Sequence, residues 1–393
     1  MWRQQTYDVI VVGGGPAGSM SARHAALGGV KVLLLEKDRD IGVPVRCGEA
    51  ISDEGLRIFF EPQERWITST ITKLRLVSPS GHKIDIDLGA KGYILDRRIF
   101  DYDLAMYAAA EGVQIMTRVY VSGLLVENRE VVGVKGEYAG EPFELRAKIV
   151  IGADGIESRV GRWAGLKTQL RMKDIESCIQ KTIAGISVEE NRFDFYLSEK
   201  WAPGGYLWVF PKGRNAANVG LGISGEYSKD KSAQKFLEEF IEKNFPGCSV
   251  IRSTVGGVSC SKTMKKFVTN GLMLVGDAAH MVNPMTGGGI VPAMRTGKLA
   301  GQTAAEAIKK GDVSENFLRK YPIRWHQVGG KHHERFYRIK EAIRQLTDHD
   351  LDEIATAVEK IPQEKRTITR VFSKAVFKKP SLAYDVMKVF AGL

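Results

Sequence analysis

The chain has 393 residues, with 57 Lys and Arg against 46 Asp and Glu, a formal charge of +11. That length supports a large core and two domains; no run of about 18 apolar residues marks a spanning helix, and no basic-then-apolar leader precedes the first strand pattern. The four cysteines, at 47, 178, 248 and 260, lack Cys-x-x-Cys spacing or a histidine cluster, which argues against a metal site or a disulfide framework and for a cytoplasmic protein.

The apolar run Tyr7–Val12 leads directly into Gly-Gly-Gly-Pro-Ala-Gly over residues 13–18. In this G-x-G-x-x-G pattern Gly13 permits a tight turn, and Gly15 lets the backbone approach a pyrophosphate. Ala17 and Gly18 open the helix, with Gly18 allowing it to pack close to the strand so that its first N–H groups face the phosphates. A second apolar run, Val30–Leu35, ends in Glu36, the acidic residue expected about 20 positions on to accept ribose hydroxyls. Strand, glycine turn, helix, strand and acid together predict a dinucleotide site.

Further along, residues 119–146 alternate apolar and polar types around Asn128 and Gly140 and predict an antiparallel meander. Ala147–Ile151 then reads as a buried strand entering the turn Gly152-Ala153-Asp154-Gly155. Residues 69–95 and 175–261 carry short alternating strands and one helix near 232–244, predicting a second sheet that covers the cofactor and builds a substrate cavity. Within it, Tyr206, Trp208 and Phe210 alternate and so share one strand face. They form either an apolar wall for a long hydrocarbon chain or ordinary sheet core, and Lys212 reads as a solvated strand end.

Gly271–His280 is a buried-type strand ending in Gly276-Asp277, followed by Thr286-Gly287-Gly288-Gly289-Ile290 and a helical stretch to about Lys309. A second glycine-rich helix start this late indicates FAD rather than a nicotinamide cofactor alone. Asp277 would accept ribityl hydroxyls or, in the plainer alternative, cap a helix. The helix start at Gly288, Gly289 and Ile290 would face the N1/C2-carbonyl edge of the flavin, where a positive helix end favours negative charge. Pro292 suits a first helical turn. From about Tyr321 the pattern is helical, and His332, His333 and Glu334, being adjacent on a helix, point apart.

The positive charge favours anionic partners. No nucleic-acid motif accompanies it, which leaves acidic proteins and an anionic membrane face. In the tail Lys365, Arg366, Arg370, Lys374, Lys378 and Lys379 interleave with Ile368, Val371, Phe372, Val376 and Phe377, as in a helix lying on a membrane or one docked on the protein with its basic side in water. The expected architecture is α/β. A discontinuous Rossmann-like FAD-binding domain (1–68, 96–174, 262–330) combines with an antiparallel-sheet substrate domain (69–95, 175–261) and a helical C-terminal segment (331–393).

The dinucleotide fingerprint, the Asp154-Gly155 turn and the Gly276-Asp277 turn, in that order, resemble the FAD-dependent para-hydroxybenzoate-hydroxylase-like superfamily. Pro-Val-Arg-Cys-Gly-Glu at 44–49, and Tyr-Leu-Trp-Val-Phe-Pro-Lys-Gly at 206–213 after Ala-Pro-Gly-Gly, resemble the geranylgeranyl reductase family, in particular its archaeal digeranylgeranylglycerophospholipid reductases. The resemblance implies saturation of the isoprenoid chains of archaeal-type membrane lipids, with hydride from reduced flavin N5 and a proton from a cysteine, a tyrosine or water. It leaves the external donor open among a ferredoxin, a reduced deazaflavin and NAD(P)H. It also implies that Arg46, Cys47, Gly48 and Ala50 contact the flavin, that Arg97 in Leu-Asp-Arg-Arg-Ile-Phe-Asp reaches FAD rather than being a surface charge, and that Val121 makes a backbone contact on the adenine side. Cys47 is either a proton donor, its thiol pKa depressed by neighbouring Arg46, or an inert small hydrophobe. Ala50 stands where relatives usually carry glycine, tolerable only if the backbone there is not at positive φ. Two rival activities share the fold: a flavin monooxygenase and an electron-transfer flavoprotein without lipid chemistry.

Overall fold

The computed structural model describes residues 2, 5–229 and 231–378, apart from the side chains of Phe372 and residues 375–378. Strand β1 (Tyr7–Val12) runs into helix α1 (Pro16–Leu27) and returns as β2 (Val32–Leu35). After the loop 36–49 come β3 (Ala50–Ser52) and α2 (Asp53–Arg57), then the hairpin β4 (Ile67–Val77) and β5 (Lys83–Leu95), α3 (Arg97–Ala110) and β6 (Gln114–Met116). The meander β7 (Val119–Glu127), β8 (Glu130–Tyr138) and β9 (Glu141–Gly152) precedes α4 (Arg159–Trp163). The middle of the chain holds β10 (Ile175–Ala184), β11 (Arg192–Tyr196), β12 (Tyr206–Pro211), β13 (Ala216–Ser224), α5 (Ala233–Asn244) and β14 (Ser249–Ser259). It closes with β15 (Val268–Thr269), β16 (Leu272–Leu274), α6 (Ile290–Lys310), α7 (Glu315–Leu318), α8 (Lys320–Trp325), α9 (Lys331–Ile343), α10 (Asp348–Glu359) and α11 (Ile368–Lys378).

Two eight-stranded sheets result. The first runs β15-β16-β9-β1-β2-β6, with β7 and β8 hanging from β9. Its central pairs β9–β1, β1–β2, β2–β6 and β16–β9 are parallel. Val9, Ile10, Val11, Leu33 and Leu34 are all fully buried, because helices on one side and the meander on the other cover both faces; an apolar run without alternation is what such a strand requires. The second sheet runs β14-β10-β13-β12-β11-β4-β5-β3. It is antiparallel except where β11 meets β4 in parallel register. This pairing departs from the purely antiparallel expectation, and its cause is connectivity: the first sheet's strands β6–β9 intervene between β4 and β11, so no hairpin fixes their direction.

Helix α1 lies in close contact with α6. A Cβ at Gly297 would run into the Ala17 carbonyl oxygen, and one at Gly301 into the Ser21 carbonyl. Glycine at these positions brings the two backbones together and seats the start of α6 beside the end of β1. On α9, His333 points inward, its Nε2 2.9 Å from the Val282 carbonyl, and burial lowers its pKa to about 4; His332 and Glu334 are exposed. In the tail, Ile368 and Val371 pack against the cluster of Leu74, Ile84, Ile354 and Val358. These two side chains therefore serve protein packing rather than a membrane face. Lys379 lies outside the described residues, as do the side chains of Phe372, Val376, Phe377 and Lys378. Among the described residues no helix is long and apolar enough to cross a membrane.

Gly301→Ala adds a methyl against a backbone oxygen that cannot move aside. Overpacking of this kind costs about 1–3 kcal/mol, more than the gain in helix propensity of about 1 kcal/mol. Denaturant unfolding should accordingly show a midpoint below that of the parent chain; a raised midpoint would mean that α1 and α6 can separate without loss.

Candidate active site

A cavity of about 1530 Å³ lies between the two sheets, running from the glycine turn after β1 to the packed β4, β5 and α10. At its first end the turn is built as the sequence pattern requires. Gly13 has φ +106°, and a Cβ there would strike the Ala153 carbonyl; a Cβ on Gly18 would strike the Gly13 carbonyl. Gly15 faces open space and, with Ala17, lines the cavity. Glu36 does more than wait for a ribose: its Oε2 accepts the Gly14 N–H at 2.6 Å and its Oε1 the Asp38 N–H at 2.8 Å. The carboxylate thus also holds the glycine turn. Asp154 caps α4 through the Val160 N–H at 2.9 Å, while its other oxygen is buried without a hydrogen-bond partner. A bare glycine cradle and an unsatisfied acceptor beside it fit a bound dinucleotide carrying phosphates and hydroxyl donors.

The Gly276-Asp277 turn closes the far side. Burial raises the Asp277 carboxyl above the usual range, with Arg97 opposing. A Cβ on Gly289 would stand 3.5 Å from Asp277 Oδ1, so the acid lies against the start of α6. Gly288 donates its N–H to Thr286 Oγ1 at 3.2 Å, and Ile290 is buried as the first residue of the helix. Val121, on β7, is buried at the cavity edge.

The loop 44–49 is the centre of the site. Arg46 is half exposed and pairs with Asp38 at 3.7 Å. It is not the charge that acts on Cys47, and the thiol is not depressed: burial raises its pKa, and Arg97 offsets this only in part. This corrects the expectation of a thiol activated by Arg46. Arg97 is buried, its side chain 12% exposed, and forms a two-pronged pair with Asp101 at 2.5 and 2.7 Å, so it is no surface charge. Gly48 lets the loop approach the second sheet; a Cβ there would be 3.1 Å from the Phe210 ring. Ala50 starts β3 in ordinary extended backbone, and the positive φ lies one residue earlier, at Glu49 with φ 72°.

Glu49, the last residue of the 44–49 motif, has no role legible from its local sequence. Its side chain is 0% exposed. Its carboxylate accepts from Lys212 Nζ at 2.7 Å, Asn218 Nδ2 at 2.6 Å and the Arg97 N–H at 3.1 Å, with Arg252 at 3.5 Å. Lys212 is therefore not a solvated strand end. It reaches back across the sheet to Glu49 and to the Leu95 carbonyl, because a fully buried carboxylate must be neutralised nearby.

Tyr206, Trp208 and Phe210 line the cavity with Phe193 and Phe195 of β11, in ring contacts of 4.8 Å (Phe193–Phe210) and 5.3 Å (Phe195–Tyr206). Leu207 and Val209 turn to the other face and pack into the core under α5. Space for the Trp208 ring comes from β13, where Gly220 stands opposite and a Cβ would lie 2.4 Å from the indole. Trp208 Nε1 donates to Gln180 Oε1 at 3.0 Å, and Gln180 Nε2 donates to the Cys47 carbonyl at 3.0 Å. The aromatic strand thereby holds the cysteine loop. Tyr206 donates its hydroxyl to the Thr286 carbonyl at 2.5 Å, tying the same strand to the glycine loop before α6. Glu176 of β10 also lines the cavity; nothing in its sequence surroundings signals this.

Residues 6–60 match an FAD binding domain and residues 174–258 a geranylgeranyl reductase catalytic domain. The chain is 42% identical to digeranylgeranylglycerophospholipid reductase of Methanocella arvoryzae over 97% of its own length and 98% of that protein. It is also 42% identical to that of Methanosarcina acetivorans, over 98% and 96%. A crystal structure of a geranylgeranyl bacteriochlorophyll reductase-like protein from Thermoplasma acidophilum superposes with TM-score 0.90 at 37% identity, covering 98% of this chain and 99% of that one. A flavin-dependent brominase superposes with TM-score 0.70 at 18% identity, a likeness of fold alone.

Two outcomes follow from the geometry. Glu49→Ala strands Lys212 and Asn218 without their acceptor and should cost about 3–5 kcal/mol, read as a lowered unfolding midpoint; a midpoint unchanged from the parent would remove Glu49 as the anchor of the loop. At pH 7.5 the part-buried Cys47 thiol, its pKa raised, should react with iodoacetamide at least about tenfold more slowly in the native than in the denatured protein, followed by peptide mapping. Equal rates would restore the activated thiol.

Proposed function

The chain belongs to the geranylgeranyl reductase family of FAD-binding proteins, and we propose that it saturates the geranylgeranyl chains of digeranylgeranylglycerophospholipids. The observation that carries this reading is the continuity of one cavity from the glycine cradle, past the rings of Tyr206, Trp208 and Phe210, to the aliphatic side chains of Leu74, Ile84, Ile86, Ile354 and Val358. A long hydrocarbon needs such a wall, because burying each CH₂ contributes about 0.8 kcal/mol.

FAD, when bound, supplies the hydride for the double bond. In this reading Gly13, Gly15, Ala17 and Gly18 receive its pyrophosphate, Glu36 the ribose and Val121 the adenine side. Asp277 receives ribityl hydroxyls, and Gly288, Gly289 and Ile290 meet the pyrimidine edge. Arg46, Cys47, Gly48, Ala50 and Arg97, which line the same cavity, would contact the flavin. The protein's part is alignment of the alkene at near-attack distance and exclusion of water. Cys47, with its thiol pKa raised by burial, remains protonated there.

The lipid enters beside β14, the edge strand of the second sheet. Val255 lines the cavity and is 64% exposed. An apolar lip of this kind suits a substrate drawn from a bilayer, and the net positive charge suits an anionic lipid surface. Electrons arrive from an external carrier, a ferredoxin, reduced deazaflavin or NAD(P)H.

Anaerobic incubation of the dithionite-reduced protein with a digeranylgeranyl glycerophospholipid, followed by mass spectrometry, should show gains of about two mass units per double bond, the two hydrogens added. An unchanged lipid mass with fully reduced, flavin-loaded protein would remove the reading and favour the monooxygenase alternative, to be assayed as aerobic hydroxylation. Phe195→Ala, which thins the aromatic wall without touching the cysteine loop, should raise the KM for lipid about tenfold, equivalent to about 1.4 kcal/mol; an unchanged KM would place the chain elsewhere.

A further inference from the structure

Resting on the reading above, we propose that Glu176 is the proton donor of the double-bond reduction. Its side chain points into the cavity from β10, the residue is 8% exposed, and its Oε2 is buried with no hydrogen-bond partner. A buried carboxyl oxygen without a partner is costly; a site built on an apolar cavity wall retains one where it serves chemistry. The acid is uncovered by glycine. A Cβ on Gly205 would lie 3.2 Å from Glu176 Oε2, and one on Gly222 would lie 3.4 Å from its Cβ. Gly205 precedes Tyr206, whose hydroxyl meets the glycine loop at Thr286. The acid thus stands one residue away from the strand that joins the second sheet to the cofactor side.

The groups around it are otherwise engaged. On the α9 side, Lys340 donates to Asp174 Oδ1 at 3.2 Å and to the Cys260 carbonyl at 2.7 Å. Arg344 donates to Glu226 Oε2 at 2.8 Å and to the Lys173 carbonyl at 2.6 Å. On the sheet side, Tyr206 already donates its proton to Thr286, and burial raises the thiols of Cys178 and Cys260. For Glu176 burial outweighs the pull of Arg344 and Lys340, and its pKa rises to about 8. The carboxyl is therefore protonated at neutral pH and can still ionise, the property a general acid needs near its working pH.

In the step, the Glu176 O–H bond breaks and its proton forms one new C–H bond with the electron pair of the alkene π bond. The other carbon receives the hydride of the established reaction with its own electron pair. Glu176 is left as the carboxylate and regains a proton from water at the β14 mouth.

The test compares the parent holoenzyme with Glu176→Gln and Glu176→Asp, using pre-reduced protein and digeranylgeranyl lipid in single turnover from pH 6 to 9.5. The parent rate should fall above about pH 8. Glu176→Gln should be at least about 100-fold slower and lose that alkaline fall, with FAD content and lipid Kd unchanged. Glu176→Asp should recover part of the rate and keep the fall. A second readout needs no turnover. A carboxyl whose folded pKa is raised contributes stability that is complete below its unfolded pKa and is lost as pH rises through the folded one. The Tm of the oxidised parent should therefore drop relative to that of Glu176→Gln between pH 5 and 9. Parent-like turnover by Glu176→Gln, or a slower variant that retains the alkaline fall, would overturn the proposal while leaving the reductase reading intact. No saturated lipid from the parent itself would overturn both.

Discussion

The site depends on one buried carboxylate. Removing an ion from water costs several kcal/mol even after relaxation, so it persists only with partners on nearly every side. Glu49 collects Lys212 from the end of β12, Asn218 from β13 and Arg252 from β14, all in the second sheet, and the backbone N–H of Arg97 at the start of α3. Its own carbonyl accepts the Leu95 N–H at 2.8 Å. The left-handed backbone at this residue turns the chain so that Cys47 and Gly48 face the cavity while the side chain turns into the sheet. Moving Glu49 would move the loop, the α3 start with its Arg97–Asp101 pair, and the wall that meets the cofactor.

The two sheets answer different demands. The first is buried on both faces and carries the phosphate turn at the carboxyl ends of its parallel strands, where open α/β sheets bind ligands. The second has one face in the core under α5 and the other on the cavity, so β12 alternates Leu207 and Val209 against its three rings. Gly220 on the neighbouring strand clears space for the Trp208 ring, and Gly222 for the side chains of Cys178 and Glu176, at some cost in strand stability. The sheet gives up packing of its own in order to hold an open apolar surface.

Six titratable groups on this cavity share one influence. Cys47, Cys178, Cys260, Tyr206, Asp277 and Glu176 are all raised by burial, which favours the neutral form of each. Arg97 and Asp101 form a closed ion pair. A space poor in unpaired charge accommodates a hydrocarbon, and its low local dielectric strengthens whichever electrostatic interaction develops there. Arg46 is half exposed and paired with Asp38, and Arg97 is the cation that acts on Cys47.

Much of the phosphate side was legible in the sequence, because its rules are local. The glycine spacing, the acid after β2, the late glycine turn with its helix and the alternating rings are each set by a few consecutive residues and a fixed period, so residue order alone determines them. The second sheet's parallel β11–β4 pair, the inward turn of Lys212 and the choice of the protein as the docking surface for Ile368 and Val371 were not legible. Each depends on partners tens to hundreds of positions away. Glu49 and Glu176 make the contrast plainest. Glu49 closes a recognisable motif and Glu176 lies in an unremarkable strand, yet only the folded chain decides that one carboxyl finds several donors and the other leaves a buried oxygen with none. Sequence fixes where a turn or a strand face can form; the environment that sets the charge and chemistry of a side chain is assembled by long-range packing, and belongs to the tertiary structure alone.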